Sequence, residues 1–288
     1  MNGSTASSSP HVVPQAENPV LGRSDATTTA ILPWILRIGV AGCFIGHGAF
    51  GIMTKQAWLP YFATGGIGEP LAWKLMPIIG TMDVTMGLIA LGWPCRALFI
   101  WAAVWATWTA LLRPFSGESF WEALERAGNY GVPLAMLMFV GVQGKLFSRI
   151  PTAWPRLSEN QHRRLAWTLR LVTATLLIGH AGLGYFSHKA GLGHHYAALG
   201  LASPDSFVPA VGAFEFILAA LVLIVPRPEL LVAVCIWKLA TESLFLVAGA
   251  PVWELVERFG SYTAPLALAF LLARWRPARA DVPHAVPA

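Results

Sequence analysis

The chain has 288 residues, of which 55% are hydrophobic and only 12% charged, with 13 tryptophans and a mean hydropathy of +0.56. Soluble domains carry about twice that charged fraction, so the composition excludes an ordinary soluble domain and predicts an integral membrane protein. The net charge of +5 is read as Lys and Arg gathered in cytoplasmic loops, and no nucleic-acid partner is expected.

Residues 1–29 are rich in Ser, Thr, Pro and Asn, with no apolar run and no basic leader. They read as a disordered cytoplasmic tail. Apolar spans follow at about 30–53, 71–93 and 97–112, the second and third joined by the short turn WPCR. The stretch 113–129 is charged and aromatic, and a fourth apolar span, about 130–143, is too short alone. It reaches the ~20 residues a crossing needs if its helix begins near Ser119. Residues 144–164 carry Lys145, Arg149, Arg156, Arg163 and Arg164 against one acid, Glu159, and read as a basic cytoplasmic linker. The plan then repeats at about 165–187, 206–226, 230–247 and 256–275, and residues 276–288 form a second cytoplasmic tail.

The repetition is literal at one place. WEALERAGNYGVPLA at 121–135 returns as WELVERFGSYTAPLA at 253–267, with nine of fifteen residues identical at an offset of 132. Chance would give about one, so the chain is an internal duplication. At the same offset Gly80 and Asp83 fall on Gly212 and Glu215, and Trp105 and Thr109 on Trp237 and Thr241. At an offset of 133 the segment 37–51 matches 170–184, sharing Ile-Gly-His at Ile45–His47 and Ile178–His180. The expected architecture is all-α: eight transmembrane helices as two parallel-repeat four-helix bundles, at 30–143 and 165–275. An even number of spans in each unit makes the repeats parallel rather than inverted. The basic linker and the Arg274, Arg276, Arg279 cluster put both termini in the cytoplasm of a cell (inner) membrane. The opposite loops hold mostly acids and histidines, with Lys55, Arg113 and Lys189 against that trend.

Ionisable groups inside spans are costly and usually face a bundle interior or a cavity. The candidate catalytic residues are His47, Asp83, His180, Glu215, Lys238 and Glu242, and the candidate binding residues Arg126, Tyr130, Arg258 and Tyr262. At ~1.5 Å per residue, His47, Asp83 and Arg126 reach similar depths in the outer half of the first bundle, and His180, Glu215 and Arg258 do so in the second. Lys238 and Glu242 are one turn apart, where the first half has Ala106 and Ala110, so the second pocket is charged and the first apolar. Arg37 and Arg170 read as snorkelling to headgroups. Arg126 and Arg258 serve either a site or interfacial ion pairs with Glu122 and Glu254, four residues away. Cys43, Cys95 and Cys235 are scattered, and adjacent His194 and His195 diverge on most backbones, so no metal site is expected.

The opening span carries Arg37, Gly39, Gly46, Gly51 and Lys55, the second carries Asp83, Gly87 and Leu88, and Arg96 follows the turn. With this pattern each half resembles the DoxX-like membrane protein superfamily, the first over about 31–140 and the second more weakly over about 165–273. The second half departs from that pattern at Leu171, at Glu215, which lacks the Gly-Leu, and at Arg227-Pro228. The resemblance implies a four-helix unit, here fused in tandem. It further implies a quinone-linked membrane subunit of an oxidoreductase complex, with a redox partner subunit and the lipid bilayer as partners. The alternative is a small-molecule transporter or a lipid- or protein-binding scaffold without catalysis.

Overall fold

The computed structural model describes residues 23–24, 26–151, 156–201 and 203–276. The expected tails therefore fall largely outside the described residues, at 1–22 and 277–288, as do 152–155 of the expected linker. The architecture is all-α. In chain order the helices are α1 (Ala26–Ile52), α2 (Leu59–Thr64), α3 (Glu69–Gly92), α4 (Arg96–Phe115), α5 (Phe120–Glu125) and α6 (Ala127–Val140). The second half holds α7 (Glu159–Tyr185), α8 (Ala190–Ala198), α9 (Pro204–Ile224), α10 (Pro228–Val247), α11 (Trp253–Val256) and α12 (Phe259–Arg274). A 3-10 turn, Gln56–Trp58, leads into α2. Arg23–Ser24 pairs antiparallel with Trp275–Arg276, so the start of α1 and the end of α12 lie together.

Several helix starts are written locally. Proline opens α2, α3, α9 and α10, where its missing N–H costs nothing and its fixed φ suits the first turn. Helix α7 begins at Glu159, inside the expected linker, because Ser158 and Gln161 form a reciprocal capping box. Described residues near the start of that linker are tied to the turn before α4 and to its first residues: Ala97 N donates to Leu146 O at 3.0 Å, and Ile150 N to Pro94 O at 2.7 Å.

Six helices, α1, α3, α4, α7, α9 and α10, are long and apolar enough to cross a membrane, which makes the chain a multi-pass membrane protein by length and composition. Helices α6 and α12, of 14 and 16 residues, fall short of the ~20 needed alone. The long fourth helix expected from Ser119 is broken instead at Arg126, between α5 and α6, and the second half has a like break at 257–258, between α11 and α12, at the start of its expected 256–275 span. The breaks are mended alike: the Tyr130 hydroxyl donates to Ala123 O and the Tyr262 hydroxyl to Leu255 O, both at 3.2 Å.

Helices α6 and α12 cross at Gly128 and Gly260, where a methyl on either would overlap the other's backbone. Helix α6 also packs on α7, and α12 on α1, so the fourth helix of each half serves the other half as much as its own. The innermost helices are α1, α6, α7 and α12; α3, α4, α9 and α10 lie outside and expose apolar side chains such as Ile78, Val104, Ile217 and Ile236. Arg37 and Arg170 do not snorkel. Each turns inward to the carbonyls ending the neighbouring helix: Arg37 Nε to Ala90 O at 2.8 Å and Arg170 Nε to Val222 O at 3.0 Å. These carbonyls have no partner in their own helix, which explains burial of a cation there.

Candidate functional site

The Ile-Gly-His motif is a positioning device with two faces. Gly46 of α1 lies against the backbone of Val256 and Glu257 at the end of α11, and Gly179 of α7 against Leu124 and Glu125 of α5. Any side chain there would push the halves apart. The histidine that follows each glycine points the other way, to the carboxylate of the next long helix. His47 Nδ1 meets Asp83 Oδ2 at 2.8 Å, and His180 Nδ1 hydrogen-bonds Glu215 Oε2. Close approach of α1 to α3 at Gly48, Gly51 and Gly80 brings the first pair together.

From here the halves differ. In the second half a buried chain of ions runs on from Glu215. Lys238, 1% exposed, lies 2.8 Å from Glu242 and 3.9 Å from Glu215. Glu242 in turn holds Arg258 Nε at 2.9 Å, and Arg258 reaches Glu254 at 2.7 Å and Glu257 at 3.0 Å. Charges so deep are tolerated only when paired, and here every candidate site residue of the half except Tyr262 belongs to one network.

In the first half the equivalent space is a cavity of about 330 Å³. Ala106, at the position of Lys238, lines it, so side chain is missing where the second half is filled. Its walls are apolar and aromatic: Phe44 from α1, Trp58, Tyr61 and Phe62 around α2, Ile79 from α3, and Trp105, Trp108 and Leu112 from α4. Its polar residues are His47, Asp83, Thr109, Arg126 and Asn129, with Arg113 beside Tyr61. The His47 ring stacks on Trp58 with centroids 4.5 Å apart. The structure thus brings His47, Asp83 and Arg126 to one cavity, while Tyr130 is used to mend the helix break.

A latch of side chains on the wall of this cavity ties α2 to the end of α4 and the loop after it. Tyr61 donates to Glu118, and Arg113 donates to the same carboxylate at 3.1 Å and lies 3.7 Å from Glu122. Burial pushes the Tyr61 phenol up to about 12, the bond to Glu118 adding to it against Arg113, so it stays a donor at neutral pH. Burial pushes the Glu118 carboxyl up, but the Tyr61 hydroxyl and the Arg113 guanidinium outweigh it and hold it below its ordinary value.

Sequence reasoning missed the seam between the halves. Glu125 and Glu257, 6% and 3% exposed, face the opposite half's arginine: Arg258 to Glu125 at 3.7 Å and Arg126 to Glu257 at 3.5 Å. Lys55 pairs with Glu254 at 2.6 Å, and Lys189 with Glu122. The expected Arg258–Glu254 pair forms, but Glu122 is taken by Lys189 and Arg113. The signal was present: Glu122, Glu125 and Arg126 recur as Glu254, Glu257 and Arg258 at the repeat offset of 132, and Lys55 recurs as Lys189 two positions out of that register. His194 and His195 diverge, the first exposed and the second packed against Phe245. Among the described residues no group of three His, Cys, Asp or Glu side chains could hold a metal ion. Comparison with protein-family models, curated proteins and solved structures finds no match.

Proposed function

We propose that this is a DoxX-like tandem membrane protein whose first half binds a quinone and serves an oxidoreductase complex as its quinone-linked subunit. The observation that carries this reading is the aromatic-walled cavity with a carboxylate-backed histidine at its polar end. A flat apolar ring with polar edges suits such walls. One donor also fits: the indole Nε1 of Trp105 is buried there without a hydrogen-bond partner and would donate to a ring carbonyl. His47 and Asp83 would hold the ring's polar edge and exchange protons with it; the quinone would supply the electron-accepting chemistry, and a partner subunit the other redox centre.

The membrane arrangement belongs to the same proposal. Helices α6 and α12, each with the short helix before it, complete eight crossings in two parallel units. The end that carries Arg96, Arg149, Arg163 and Arg164 faces the cytoplasm. Transport or scaffolding without catalysis draws on the same cavity. The crossed ion pairs Lys55–Glu254 and Lys189–Glu122 tie the halves to each other, which supports a fixed binding site over rocking halves.

The test is purification in mild detergent, followed by mass spectrometry of extracted small molecules. One isoprenoid quinone per chain is expected, with loss in Ala106→Leu, which puts three more carbons into the cavity. A clean preparation that neither carries quinone nor takes up an added short-chain quinone overturns the reading. Solute uptake by proteoliposomes without electron flow would replace it with the transporter.

A further inference from the structure

The two halves differ by one methylene at the head of the site, and the consequence can be followed atom by atom. In the second half Glu215 spends both oxygens: Oε2 on His180, and Oε1 on the indole of Trp237, which donates at 2.9 Å. In the first half Asp83 gives Oδ2 to His47 and is too short to repeat the second bond. Asp83 is 0% exposed, and its Oδ1 is left without a partner, as is Nε1 of Trp105, the counterpart of Trp237. Both residues line the cavity.

We propose that this gap is a hydroxyl-binding site. A ligand hydroxyl there donates its proton to Asp83 Oδ1 and accepts from Trp105 Nε1, while the flat apolar body that bears it fills the aromatic walls. Only a group that is donor and acceptor at once satisfies both atoms. A carbonyl answers the indole but leaves the carboxylate oxygen bare, an ammonium does the reverse, and a buried polar atom left unpaired is costly. The proposal rests on the reading of the cavity as a quinone site and adds which form it favours: the reduced, hydroxyl-bearing quinol.

The experiment is calorimetric titration of the full chain in detergent with three probes: 2-naphthol, its methyl ether 2-methoxynaphthalene, and 2-methyl-1,4-naphthoquinone. The naphthol is expected to bind more than about tenfold tighter than the ether, since a site built around a hydroxyl rejects the analogue that cannot donate. Asp83→Glu, which restores the reach of Glu215, should reduce that preference below about twofold. Trp105→Phe, which keeps an aromatic wall, should weaken naphthol and ether alike, since the oxygen of either accepts from the indole. Equal binding of naphthol and ether, a preference that survives Asp83→Glu because water fills the gap, or naphthol binding unchanged in Trp105→Phe overturns the proposal. Naphthoquinone binding without hydroxyl preference sinks this inference alone; hydroxyl preference without naphthoquinone binding sinks the quinone reading and leaves the hydroxyl site standing.

Discussion

At the scale of single residues, the repeat matches His47 with His180 and Asp83 with Glu215, depth along the spans groups each histidine with its acid, and the exchange of Ala106 and Ala110 for Lys238 and Glu242 marks where the halves diverge. What divergence meant was not legible. The absence of a side chain becomes a cavity only when α2 and Trp58 roof the space, and one-dimensional order does not carry that packing. Lys238 is the sharpest test of the filled half, because its nearest partner is Glu242 rather than Glu215. Lys238→Met alone leaves Glu242 buried with one cation fewer and is expected to destabilise by ~3–5 kcal/mol. The double change Lys238→Ala with Glu242→Ala, which writes the first half's residues into the second, should recover part of that loss. Thermal unfolding in detergent reads both; a double variant no more stable than Lys238→Met would mean that the pair is not a unit.

At the scale of elements, the helices that the sequence describes best are those whose own residues decide them: proline-opened α3, α9 and α10, and the long apolar α1 and α7. The fourth helix of the first half is expected from the sequence to run unbroken from Ser119, but tertiary contacts decide otherwise. Tyr130 and Tyr262 satisfy the broken turns, and the crossing of Gly128 with Gly260 fixes where the second segment can start. The latch of α2 is another element held by side chains distant in sequence. Its acid anchor has its folded carboxyl held below the ordinary 4.5, so the contribution of Glu118 is present above that value and lost as pH falls through the lowered one. The stability gap between the wild type and Glu118→Gln should therefore be visible at pH 7 and close as the pH is taken below the ordinary carboxylate range. It should amount to no more than about 3 °C in thermal midpoint, since the pair is partly exposed. A gap unchanged on acidification would show that Glu118 does not anchor α2 by its charge.

At the scale of the whole molecule, the similarity of the two halves in sequence does not make them independent bundles. Each half withholds part of its core from itself: α1 is covered by α12 and α11, and α7 by α6 and α5. Gly46 and Gly179 allow that exchange, and the ion pairs Lys55–Glu254, Lys189–Glu122, Arg126–Glu257 and Arg258–Glu125 close it from both sides. Each half alone would expose buried carboxylates whose cations sit on the other chain segment, a state that neither lipid nor detergent repairs. The chain cut within residues 144–158 and expressed as two polypeptides should therefore co-purify as one monodisperse complex in mild detergent. Either half expressed alone should aggregate or be degraded. Reversing one cross-seam pair, Lys55→Glu, should weaken the association, and adding Glu254→Lys on the other piece should restore it. Stable, monodisperse single halves would instead mean that the units are self-sufficient and that the seam is a secondary contact.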